Sequence, residues 1–217
     1  MFELLTNYSD LIIEGFINTL IASVIALIAS LILGGLMGII QTLDNKILAK
    51  IGDIYVEFFR NIPLLIIVMF FYVVIPLYGV EITGFQSGII GLTLYTSAFI
   101  ADVVRSGIDA VPKGQREAAI SQGMTYRQTM QYVVLPQAVK IVIPPLGNQF
   151  INLVKNSSIL AMVAGLDLMY YGDLIASETF NTLGTYTMIA CIYLIITVPL
   201  TLLVSYIEKR LAQQDVR

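Results

Sequence analysis

The sequence contains no histidine, no tryptophan and one cysteine, Cys191, and only 12% of its 217 residues are charged. Each shortage excludes something. Without histidine there is no Ser-His-Asp or Cys-His nucleophile and no imidazole metal site. A single cysteine, set in an apolar run, forms no internal disulfide. A soluble domain carries about 25% charged residues, so roughly half the charge needed to cover a water-facing surface is missing. The net charge is −3 and no Lys/Arg block is present, so no nucleic acid is expected as a partner. What fills the chain is apolar: 57% of residues are hydrophobic and the mean hydropathy is +0.83. The expected solvent is lipid. No repeat, linker or low-complexity tract divides residues 1–217, which are expected to form one domain that catalyses no reaction itself.

A charged side chain at the centre of a spanning helix costs about 2.5–3.5 kcal/mol, so charge-free runs locate the spans. Crossing a hydrocarbon core of about 30 Å takes roughly 20 helical residues. Five runs qualify: 15–43, 61–80, 82–101, 141–154 when extended to 135–155, and 179–207. The fold class is therefore an all-α membrane protein with five transmembrane helices. Basic residues cluster at Lys46 and Lys50, then at Arg105, Lys113, Arg116, Arg127 and Lys140, then at Lys209, Arg210 and Arg217. The N-terminal tail and the connections 77–85 and 165–185 hold none. Positive-inside bias thus puts the N-terminus outside and the C-terminus in the cytoplasm, the arrangement an odd number of spans requires. Residues 1–14 lack a basic n-region and carry Glu3, Asp10 and Glu14, unlike an ordinary secretory signal. Residues 156–180 are too interrupted for a sixth span and suit a helix at the outer surface or a re-entrant one.

The connection 102–140 is far longer than two spans need. Pro112 opens it, Glu117, Ala118, Ala119 and Ile120 are set for a short helix, Gly123 permits a turn, and Thr125 can cap a second helix running through Gln131. The expected product is a helical knob on the cytoplasmic face, closed by Leu135-Pro136 at the membrane surface and suited to docking another protein.

These residues carry a resemblance. Glu117-Ala118-Ala119, then Gly123, then Val133 and Leu135-Pro136, all in register, resemble the EAA loop of ABC-importer permeases. The stretch Glu57-Phe58-Phe59-Arg60-Asn61-Ile62-Pro63-Leu64-Leu65, the pair Gly114-Gln115, and Pro144-Pro145-Leu146-Gly147-Asn148-Gln149 are similar to signatures of the polar amino-acid permeases, the histidine/glutamine/arginine permease-like family. Val133 stands where the family usually has Ile, and Asp102 where it more often has Glu. The resemblance implies a type I ABC importer transmembrane domain, with residues 112–136 as its cytoplasmic coupling loop. Glu117, Ala118, Ala119, Gly123, Met124 and Arg127 are then the residues that couple to an ATPase. No G-x-x-x-x-G-K-[ST] stretch is present to cradle phosphates, so ATP and Mg belong to cytoplasmic ABC ATPase subunits and this chain binds no cofactor. The other implied partners are an extracytoplasmic substrate-binding protein, an amino-acid substrate, membrane lipid and a second permease subunit. That second subunit is this chain again in a homodimer, the favoured arrangement, or a homologous chain. The implied location is the cell membrane, crossed several times.

Several polar residues in and near the spans bear on the solute path. Glu57 and Arg60 are spaced i, i+3 and would face each other; with Pro63, which kinks a helix, they form a gating set or a structural ion pair at the inner interface. In the fourth run Asn148, Asn152 and either Lys155 or Asn156 make one helical stripe, expected on the pathway or a subunit interface, with interhelical hydrogen bonding as the plainer reading. Pro144-Pro145 would break regular helical bonding there. Asn18 and Ser97 are further pathway candidates, while Gly34 and Gly38 form a G-x-x-x-G pair for close helix packing. The outer side carries acids, which is the plain converse of positive-inside bias or else a field that favours a cationic solute; on the second reading a basic or polar amino acid such as arginine, lysine or histidine is expected, with Glu14 or Glu178 meeting its side chain. The rival is an ion-coupled secondary transporter or channel, which would show an inverted repeat or an intramembrane carboxylate.

Overall fold

The computed structural model describes residues 2–214; Met1 and residues 215–217, Arg217 among them, lie outside the described residues. A short helix α1 (Phe2–Asn7) leads into the long α2 (Ser9–Gln41). Helix α3 (Lys46–Asn61) starts where the Asn45 side chain accepts the amides of Ile47 and Leu48. Helix α4 (Leu64–Met69) runs on through a π turn (Phe70–Val74) and a 3-10 turn (Ile75–Tyr78). A Thr83–Gln86 capping box opens α5 (Gly84–Asp109). Then come α6 (Lys113–Ser121), α7 (Tyr126–Thr129), a π turn (Met130–Val134) and α8 (Leu135–Asn156). A 3-10 turn (Ser157–Val163), α9 (Leu168–Thr179) and α10 (Thr182–Gln214) complete the described chain.

Helices α2, α5 and α10 are each long and apolar enough to cross a membrane. Two bent pairs pass the same test: α3 with Leu64–Tyr78, bent by 100°, and Tyr126–Val163 with α9, bent by 51°. Counting each pair once gives five. The bend falls at the start of the run 61–80, between α3 and the continuous helical piece Leu64–Tyr78. Ile62 is extended (φ −99°, ψ 132°), as a residue before proline prefers, and Pro63 has no amide to continue the ladder. Pro144 and Pro145 behave differently: α8 continues through both instead of breaking there. Leu135-Pro136 does not close the knob either. Pro136 occupies the first turn of α8, directly after the π turn Met130–Val134, and the knob runs straight into the span.

The α2–α5 pair is the spine. A Cβ on Gly34 would lie 2.5 Å from the Ser97 carbonyl oxygen, and one on Gly38 2.6 Å from that of Ala101. Only the absence of side chains lets the two backbones approach this closely, as the G-x-x-x-G pair predicts. Ala22, Ala26, Leu92, Leu153 and Leu160 fill the space beside them. Large apolar side chains on the outer faces, such as Ile13, Ile17, Val24 and Ile28 on α2 and Leu194, Ile195, Val198 and Leu202 on α10, are exposed, the pattern of helices whose surroundings are lipid. The segment 156–180 forms a 3-10 turn and a helix packed on α2. Thr19 Oγ1 accepts the Leu168 amide at 3.0 Å, and Asp167 caps α9 through the amides of Met169 and Tyr170, both at 3.1 Å.

Candidate functional site

Two regions carry the chemistry: the knob and a polar cavity among the helices. In the knob, α6 ends in a Schellman turn. The Met124 amide donates to the Ala119 carbonyl at 3.2 Å and the Gly123 amide to that of Ile120 at 2.9 Å. Gly123 has φ +83°, a conformation that costs other residues about 1–2 kcal/mol, and this motif places glycine there for that reason. Nothing lies within 4 Å of a Cβ built on it, so φ alone demands glycine. Thr125 then opens α7 with a capping box: its side chain accepts the Gln128 amide and Gln128 accepts the Thr125 amide. Ile108, Val111, Met130, Val134 and Ala138 pack beneath, with Tyr126 against them. The Tyr126 hydroxyl donates to the Thr42 carbonyl at 3.1 Å, fastening the knob to the end of α2.

The exposed face of the knob differs from the predicted set at one position. Glu117, Ala118, Gly123 and Arg127 are exposed and Met124 is half-buried, but Ala119 turns inward and is buried. A one-residue step on a helix rotates the side chain by about 100°, so the motif's second alanine packs while the first faces out. Ile120, 52% exposed, stands on the outer surface in a position the motif did not mark.

The cavity, of about 400 Å³, is lined by Tyr95 and Phe99 of α5 and by Gln149, Asn152, Lys155 and Asn156 of α8. Lys155 is its one charged lining residue. Gln149, Asn152 and Asn156 follow the i, i+3, i+7 spacing of one helix face. Of the predicted stripe, Asn152, Lys155 and Asn156 line the cavity together with Gln149, and Asn148 is exposed outside it. The aromatic wall was not foreseen. The rings of Tyr95 and Phe99 are 4.9 Å apart, and the Arg60 guanidinium carbon stands 5.3 Å from the Phe99 ring centre.

Arg60 does not pair with Glu57. Its Nη1 lies 3.0 Å from Asp102 Oδ2, because α5 brings Asp102 to the end of α3, a contact no spacing within α3 reveals. Glu57 is exposed, with its backbone carbonyl accepting Asn61 Nδ2, and Pro63 lies just beyond at the break. A second pair, Arg105 with Asp53 at 2.9 Å, joins the same two helices, and Gln41 Nε2 donates to Asp53 as well.

The remaining predicted pathway residues lie elsewhere. Ser97 is fully buried; its hydroxyl donates to the Leu94 carbonyl and sits 2.6 Å from the Tyr55 hydroxyl, so it ties α3 to α5 and does not face the cavity. Asn18 Nδ2 donates to the Leu166 carbonyl at 2.9 Å, joining α2 to the loop before α9. Glu14 faces the Tyr171 hydroxyl, and Glu178 is exposed near the end of α9. Neither acid lines the cavity.

Known proteins share this sequence and fold. The family model described as "Binding-protein-dependent transport system inner membrane component" matches residues 30–213. The "Probable glutamine ABC transporter permease protein GlnM" of Bacillus subtilis (strain 168) is 54% identical over 208 residues, 96% of each chain. The "Glutamate/aspartate import permease protein GltJ" of Escherichia coli (strain K12) is 31% identical over 218 residues, covering 94% of this chain and 89% of that one. A solved structure described as "Crystal structure of an amino acid ABC transporter with histidines" superposes with a TM-score of 0.90 at 34% identity, over 97% of this chain and 98% of the other.

Proposed function

The chain belongs to the family of inner membrane components of binding-protein-dependent transport systems, and from that premise we propose that the amino acid it carries is glutamine or glutamate. It is an amino-acid ABC importer permease with the all-helical type I fold, a multi-pass membrane protein and the transport component of its system. Such a permease works with an ATPase and a substrate-binding protein.

The observation that carries the solute assignment is the make-up of the cavity: amides, two aromatic rings and, as its one charge, the cation Lys155. An ammonium lining such a cavity favours a carboxylate through a charge-assisted hydrogen bond. Gln149, Asn152 and Asn156 offer both donors and acceptors to a side-chain amide or a second carboxylate. Glu14 and Glu178, which prompted the expectation of a basic amino acid, are outside this lining. The names of the two relatives, a glutamine permease and a glutamate/aspartate permease, support the same choice.

In this reading the N-terminus lies outside, five spans cross the bilayer, and two permeases, identical by preference, pair about a two-fold axis. A binding protein delivers the solute from outside. ATP and Mg sit on the ATPases, and their closure pushes the knob through Glu117, Ala118 and Ile120. The rigid α6–α7 unit passes that push directly into α8, which carries four of the cavity residues. The break at Pro63 lets α4 swing, with Arg60 at its corner. Purification from native membranes in mild detergent, followed by mass spectrometry, tests the assembly. An ABC ATPase retained by the native chain and lost with Gly123→Arg supports it, and a chain that emerges alone sinks it. Competition binding to the purified transporter tests the solute: arginine displacing labelled glutamine better than glutamate does would overturn the assignment.

A further inference from the structure

The α5 side chains Tyr95, Phe99 and Asp102 fall at i, i+4 and i+7, one stripe of the helix. The first two are cavity wall. The third is the partner of Arg60, whose guanidinium stands over Phe99 without lining the cavity. Arg60 is the last residue but one of α3, at the corner where the chain turns by 100° into the next helix. A guanidinium suits this post, because its plane can stack on a ring while its edge meets a carboxylate. The pair is also not needed merely to hold the two helices together. Asp53 with Arg105, and Tyr55 with Ser97, already join α3 to α5.

We infer that Asp102 is a positioning residue for the transported solute: its carboxylate holds Arg60 against Phe99 and so sets the aromatic wall of the cavity. The corner of α3 and the cavity wall then move together. When α4 swings, Arg60 is drawn off Phe99, the ring is freed to turn, and the solute loses one side of its site. Without Asp102 the guanidinium points to water and the ring is unconstrained in every state, so the solute is held loosely from the start. This inference rests on the cavity being the solute site, as proposed above.

The test uses the assembled transporter, permease with ATPase and binding protein, in liposomes with labelled glutamine. Asp102→Asn is expected to raise the half-saturating solute concentration about tenfold, equivalent to about 1.4 kcal/mol, with the maximal rate changed far less. Asp102→Glu should restore most of the loss. Phe99→Leu should reproduce it, and Asp102→Asn with Phe99→Leu should be no worse than the poorer single variant, since both break one linkage. An unchanged half-saturation in a normally accumulating Asp102→Asn transporter overturns the inference, as does a double variant whose losses add. If Asp102→Asn does not accumulate, Arg60→Lys decides. It keeps the charge but loses the planar stack, so an unchanged half-saturation there overturns the inference as well. A native transporter that ignores glutamine and carries another amino acid overturns only the solute assignment, and the same variants are then compared with that amino acid.

Discussion

The knob and the cavity are built in opposite ways. Every turn-forming hydrogen bond of the knob closes within about two helical turns of chain: Met124 to Ala119, Gly123 to Ile120, Thr125 to Gln128. The cavity takes its wall from α5 and its polar lining from α8, helices separated in sequence by the whole knob. The knob is thus a local object, whose shape depends on its own turns. The cavity is a long-range one whose shape follows from how the helices stand. In the reading proposed above, the first is a stiff handle and the second the site on which it acts.

Substitutions can break or sharpen this contrast. The largest effect is expected from Gly123→Pro. Proline fixes φ near −65° and removes the amide that reaches Ile120, so the Schellman turn cannot form. Uptake should fall by about a hundredfold or more if the lost coupling exceeds about 2.8 kcal/mol, while membrane insertion and span packing persist. Uptake assays beside protease protection of the spans read the two separately. Gly123→Ala grades the effect, since only the left-handed φ, about 1–2 kcal/mol, stands against it.

Next comes the cavity cation. Lys155→Met should weaken glutamate binding by about tenfold to a hundredfold, the range for losing a charged hydrogen bond of about 1.5–3 kcal/mol, and should leave ATPase binding intact. Isothermal titration of the purified transporter reads the first and co-purification the second. Thr125→Ala should cost about 1 kcal/mol of helix capping, seen as a small drop in the thermal midpoint with the solute affinity unchanged. The smallest effect is expected at Glu57→Gln. Glu57 makes no ion pair among the described residues and is exposed, so uptake should stay within about twofold, as surface charges away from special features usually allow.

The same contrast explains which parts were legible in the sequence. The knob was readable because motif residues and turn chemistry are local: Gly123 and Thr125 do what their types predict. Gly34 and Gly38 were readable because a G-x-x-x-G pair has one dominant use in an apolar helix. The position of Ala119 was missed because the family motif marks residues without saying which face they take. Partner choice was missed for a deeper reason. Arg60 had a good local candidate in Glu57, and only the placement of α5 made Asp102 the better one. Ser97 looked like a pathway hydroxyl until Tyr55 was brought against it. On α8 the spacing found Asn152, Lys155 and Asn156, but Gln149 and not Asn148 completes the lining, because both stand within one turn of Asn152 and spacing alone does not choose between i−3 and i−4. Helix α3 escaped the span count because its charges disqualified it, although its residues pass the test once joined across the break to the following segment.

The most direct test is the initial rate of labelled glutamine uptake by liposomes holding this chain with its ATPase and binding protein, with and without ATP on the side that carries the ATPase. Uptake is expected to require ATP, to be blocked by excess unlabelled glutamine or glutamate, to withstand excess arginine, and to be lost with Gly123→Pro. Uptake that proceeds without ATP, or that arginine blocks as well as glutamine does, would contradict the proposed function.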